Sequence, residues 1–150
     1  MTGGTDVKGE GLFKVPVDGG APFRLTSAFS SDPAWSPDGS LIVYVGPVIA
    51  ARTPFMAVRP DGSSVDLPEL WGGVARQHFR FLPDGNLVYV PAGTEDFWLL
   101  DLQSKKTRLI ARLTARGEKR AFDISPDGKQ IVFDRVRENS DIVLIDLPPR

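Results

Sequence analysis

The chain has 150 residues, enough for one domain with a real core, since a chain of this length buries roughly two-thirds of the surface it exposes when unfolded. Its 18 basic and 19 acidic residues leave a formal net charge of -1, so no long-range field steers it toward nucleic acid or an anionic membrane. The absence of cysteine excludes a disulfide framework, a thiolate nucleophile and a Cys-ligated zinc site, while 15 glycines and 13 prolines favour many short strands joined by tight turns.

Residues 1–9 read as a loose N-terminal segment. They lack the basic start and apolar stretch of a secretory signal, and no apolar run reaches the length of a membrane span. The compartment is thereby left open, periplasmic or cytoplasmic. A first unit, 10–27, carries one apolar strand at 12–17, a tip at Asp18-Gly19 and a second strand at 22–26. A fuller unit, 32–70, begins with Ala34-Trp35, turns at Ser36-Pro37-Asp38-Gly39 and continues with the apolar run 41–45. It then adds a third strand at 55–58, a tip at Asp61-Gly62 and a fourth strand at 64–67.

The unit 76–114 repeats this plan, with Phe79-Arg80-Phe81, the turn Leu82-Pro83-Asp84-Gly85, and strands at 87–90, 97–102 and 107–110. The last unit, 118–148, has Phe122-Asp123-Ile124, the turn Ser125-Pro126-Asp127-Gly128, and strands at 130–133 and 142–147, but no fourth. Asp38, Asp84 and Asp127 thus recur at steps of 46 and 43 residues, within the roughly 40 to 50 expected of a four-stranded β-propeller blade.

The quartet recurs for a reason of backbone chemistry. Proline presets φ for the first corner of a type I turn, aspartate tolerates the second, and glycine takes the left-handed position that closes a bulged hairpin. The strand after each quartet is almost wholly apolar, as suits a strand covered on both faces. Trp35, Phe81 and Ile124 share a register expected to pack between neighbouring blades. The expected fold is therefore all-β: a propeller of four-stranded antiparallel blades, about three plus a partial one.

These residues resemble the WD40-like (PD40), TolB-type propeller repeat, whose pattern is an aromatic residue, Ser-Pro-Asp-Gly-Lys, Ile-Val-Phe, a loop with Asp and an apolar strand ending in Asp-Leu. The stretch 122–147 follows it almost throughout, whereas Leu82 replaces the serine in the middle unit and 46–52 replaces the acidic loop in the first. The resemblance implies a frame on which unrelated activities are mounted. The family includes periplasmic interaction proteins and the propellers of serine peptidases and bacterial serine/threonine kinases. It also implies that the units cannot close a ring alone, because a closed propeller needs at least four blades. Two arrangements follow. Either the units are part of a larger propeller, or two copies exchange the 22–26 strand and close a six-bladed ring as a homodimer.

Catalytic chemistry finds little footing. There is no Gly-x-Ser-x-Gly elbow and a single histidine, His78. His78 reads either as a ligand-binding group at a channel mouth or as an idle surface-loop residue. Glu95, Asp96, Glu138 and Asp141 are the only plausible acid pair donors for sugar hydrolysis, and they read as solvated loop residues. The turn aspartates Asp38, Asp61, Asp84 and Asp127 are explained by turn geometry rather than calcium.

Arg80 and Asp123 share a register on first strands, facing either a polar ligand or each other. The loops of one face carry Arg52, Trp71, Arg76, His78, Arg116, Lys119, Arg120, Arg135 and Arg137, and Arg and Trp are frequent in binding hot spots. The expected function is a non-catalytic module, with no cofactor or metal, that binds a protein or small polar ligand on this face and neither nucleic acid nor membrane. The alternative is an accessory propeller of a larger peptidase or kinase.

Overall fold

A computed structural model describes residues 9–74, 78–113 and 121–134, and every regular element within them is a β-strand. The expected third strand at 142–147 and the segment 1–8 lie outside the described residues. Strands β1 (Phe13–Lys14) and β2 (Phe23–Arg24) form a two-stranded ribbon. Next come β3 (Ser31–Trp35), β4 (Ile42–Val45), β5 (Arg52–Val58) and β6 (Ser64–Val65), hydrogen-bonded in that order. A short strand β7 (Trp71–Gly73) pairs with the start of β5. Then β8 (Phe79–Phe81), β9 (Leu87–Tyr89), β10 (Phe97–Leu100) and β11 (Thr107–Ala111) make a second four-stranded meander, and β12 (Phe122–Ile124) pairs with β13 (Ile131–Phe133). Among the described residues all pairings are antiparallel, and no sheet closes on itself.

The repeated quartets are the tips joining β3 to β4, β8 to β9 and β12 to β13. In each, the glycine takes a left-handed φ (71°, 87° and 70°), and its N–H donates to the carbonyl three residues back. The aspartate locks the corner. Asp38 Oδ1 accepts from Ser36 Oγ at 2.6 Å and from the Ser40 N–H at 3.1 Å, and Asp127 Oδ1 accepts from Ser125 Oγ at 2.6 Å. Donors aimed at the charged carboxylate hold Asp38 down to about 2, with Ser36 the largest contributor.

The sheets lie face to face in chain order, with an apolar layer in each gap. Leu12 and Leu25 cover Ile42, Tyr44 and Val58 on one side of the second sheet. On its other side Val43, Val45, Phe55 and Ala57 meet Phe79, Leu87, Tyr89 and Leu100. The far face of that third sheet, with Val88, Phe97 and Leu99, is closed by Phe122, Ile124, Ile131 and Phe133. The all-apolar β4 and β9 are therefore buried on both faces, as their composition requires. The first strands are neighbours as well, β3 lying beside β8 and β8 beside β12.

Two expectations are corrected. Trp35 does not pack between sheets and is 51% exposed. It lies opposite Ile42, on the face turned to the β1–β2 ribbon, and that ribbon covers β4 and β5 but leaves β3 bare. The loop 46–54 is partly strand, because β7 gives Arg52, Thr53 and Pro54 partners that the repeat pattern does not contain.

Candidate functional site

β5 starts from a two-residue hairpin. Ile49 and Arg52 exchange N–H to O bonds of 2.8 and 3.0 Å around Ala50 and Ala51, which have φ of 49° and 61°. Both corners are left-handed, a geometry that glycine or asparagine adopts readily and that alanine adopts at about 1–2 kcal/mol each. The turn holds Val48 and Ile49 out in solvent. Beside it runs the 25–30 connection with the exposed Phe29, and Met56 on β5 is exposed too. Ile49, Phe29 and Met56, together with Pro47, Pro54 and Trp71, line an open groove of about 600 Å³. The Trp71 indole N–H donates to Glu69 Oε1 at 3.0 Å, which fixes the ring against β5.

Behind this groove lies a buried polar clasp. His78 is not a surface-loop or channel-mouth residue, for its side chain is only 7% exposed. Its Nδ1 lies 3.3 Å from Asp32 Oδ2, which also receives the His78 N–H at 3.3 Å. Its Nε2 faces the Gly73 carbonyl, with Thr53 Oγ1 at 3.4 Å. The ring fits because residue 72 is glycine. A Cβ there would come within 2.3 Å of His78 Cδ2 and 2.7 Å of Phe55 Cε1. Asp32 itself holds a left-handed φ of 49°. Burial pushes the Asp32 carboxyl up, but the hydrogen bonds from His78 and the charges of His78 and Arg80 outweigh it, leaving it below the ordinary carboxylate value.

Acid, imidazole and hydroxyl in a row resemble a hydrolase triad in outline only. Thr53 is buried, and its hydroxyl also lies within reach of the Gly72 and Gly73 carbonyls at 3.3 and 3.4 Å, so it presents no nucleophile to solvent. The three residues tie β3, β5, β7 and the entry to β8 together.

The other expected site residues fall into separate places. Arg80 Nε lies 3.8 Å from Asp123 Oδ1, joining β8 to β12, so the two face each other. Arg52 is exposed, opposite Gly73 on β7. Arg76, Arg116, Lys119, Arg120, Arg135, Arg137, Glu138 and Asp141 lie outside the described residues. Asp96 accepts the Leu113 N–H at 2.9 Å and sits 3.6 Å from Arg112, occupied in closing its own sheet. Among the described residues, no group of three or more His, Asp or Glu side chains is placed to hold a metal ion.

Phe29, Ile49 and Met56 are the site residues that sequence reasoning missed. The available signal was the pair Val48-Ile49 inside a loop, where apolar side chains have no core to reach. Compared with known proteins, the chain matches no protein-family model and no curated protein.

Proposed function

We propose that the chain is a non-catalytic β-propeller module that takes an apolar segment of a protein partner into the groove between the 25–30 connection and the 46–52 hairpin. The propeller reading rests on the repeat period, on two meanders of four strands in sequence order, and on the side-by-side placement of β3, β8 and β12. The single observation that carries the binding reading is the groove. Ile49 stands exposed on a hairpin whose two left-handed alanines hold it out of the core, with Phe29 and Met56 exposed beside it around Trp71. Strain of this kind persists only where the surroundings enforce it, and it concentrates at binding sites. Arg52 beside the groove favours a partner with an acidic residue flanking its apolar anchors.

The test is selection of linear peptides from a displayed random library against the immobilised chain. Enriched peptides should pair one or two large apolar residues with an acidic neighbour. Ile49→Glu and Phe29→Glu should each weaken their binding at least about tenfold, since a carboxylate must then be buried against apolar side chains, while Val17→Asp, on a fully exposed side chain, should leave it unchanged. Peptides indifferent to both groove variants, or no enrichment at all, would overturn the reading.

A further inference from the structure

Val43, Val88 and Val132 stand at one register position, each directly opposite the penultimate residue of its sheet's first strand, Ala34, Arg80 and Asp123. The first two point into the apolar gap toward the following sheet and are 0% and 1% exposed, whereas Val132 is 68% exposed. The reverse faces form a second series. Phe81 and Ile124 pack against the preceding sheet, while their counterpart Trp35 stands bare. The described chain thus ends its stack on one side with an uncovered forward face and begins it on the other with an uncovered backward face. Each lacks the partner that the other provides.

We propose that two copies of the chain associate by these faces, the β12–β13 sheet of one packing through Val132 onto the second copy's Trp35. The proposal rests on the propeller reading above. Its geometry follows from the ribbon β1–β2, which covers only the β4 and β5 side of the face carrying Trp35. The area left over is β3, which carries Trp35, and the β12–β13 pair carrying Val132 would lie over it. Placed there, it would lie in the same layer as β1–β2, inner strands beside outer ones, as β8–β9 lie beside β10–β11.

A second copy is the fitting occupant because one twofold operation satisfies both faces of both chains, at two identical junctions. The spacing and register of the incoming sheet must also match those of the two internal gaps, which a copy does by construction. Exposed apolar residues at the end of a sheet stack invite association of this kind.

Light scattering after gel filtration at tens of micromolar should give twice the chain mass. Val132→Asp and Trp35→Arg should each weaken the association at least about a hundredfold, because symmetry places the change in both junctions, with the far-UV circular dichroism unchanged, since both side chains are exposed in the single chain. Mixing the two variants should restore the dimer, with one unaltered junction and one Asp–Arg pair. A monomer for the unaltered chain would overturn the proposal, as would a dimer that survives Val132→Asp or a mixture that stays monomeric. If the chain is monomeric but its selected peptides still depend on Ile49 and Phe29, the groove reading stands and only the dimer falls.

Discussion

The gap between the two four-stranded sheets and the gap between β8–β11 and the β12–β13 pair are built from the same repeat, yet they enclose different chemistry. The first holds an edge-to-face cluster, Phe55 with Phe79 at 5.2 Å and with Tyr89 at 5.9 Å, and at its loop end the clasp of Asp32, His78 and Thr53. The second is apolar, with Phe97 at 5.2 Å from Phe122 and 5.5 Å from Phe133. The difference lies in what faces what. Four strands against four, capped by β7, bury the His78 ring and partly bury the Asp32 carboxylate beside it, whereas the gap against the two described strands of the last sheet is lined by apolar side chains.

The largest way to break this contrast is to empty each gap in turn. Phe79→Ala should cost about 3–5 kcal/mol, and Phe122→Ala less, because among the described residues the gap it leaves is walled by fewer strands and collapses more easily. Urea denaturation of both variants measures the difference; equal losses would mean that the two gaps are packed alike.

Asp32→Asn sharpens the comparison at the polar end. Asparagine tolerates the left-handed backbone there, so the change removes charge and leaves geometry in place. The expected loss at neutral pH is in the lower half of about 1–3 kcal/mol, since Asp32 is only partly buried. The pH dependence follows from the depressed folded value. The stabilisation from Asp32 is fully present above the unfolded carboxylate value near about 3.9 and is lost as pH falls through the lower folded one. The gap in stability between the unaltered chain and Asp32→Asn should therefore narrow below about pH 4; a gap that stays constant down to pH 2.5 would remove the ionised carboxylate from the clasp.

The smallest effect is a gain. Ala51→Gly relieves one left-handed corner of the 49–52 hairpin and should add up to about 1 kcal/mol, less the entropy glycine recovers when unfolded. It should also loosen the hairpin, so peptides selected on the groove should bind Ala51→Gly more weakly in spite of its stability, as calorimetry would show.

Much of the fold was legible because its cues are local. Each Pro-Asp-Gly tip states its own turn, and runs such as Ile42-Val43-Tyr44-Val45 or Leu87-Val88-Tyr89 state a strand covered on both sides. The site was less legible. Trp71 was visible as a loop tryptophan, but the groove around it needed the Ala50-Ala51 corner, which no turn preference suggests. His78 was misplaced because its partner is Asp32, 46 residues away, and because the glycine that admits its ring carries no pattern.

What the sequence by itself determined is the repeat's strands within the described residues, their order within each sheet and the chemistry of the tips, since these depend on neighbours a few residues apart; the short β7 lay outside the pattern. Which face of each strand is covered was decided only by the tertiary structure. Phe81 and Trp35 hold the same place in the repeat, and one is packed and the other bare because burial depends on the sheet that arrives opposite, not on the residue that waits for it.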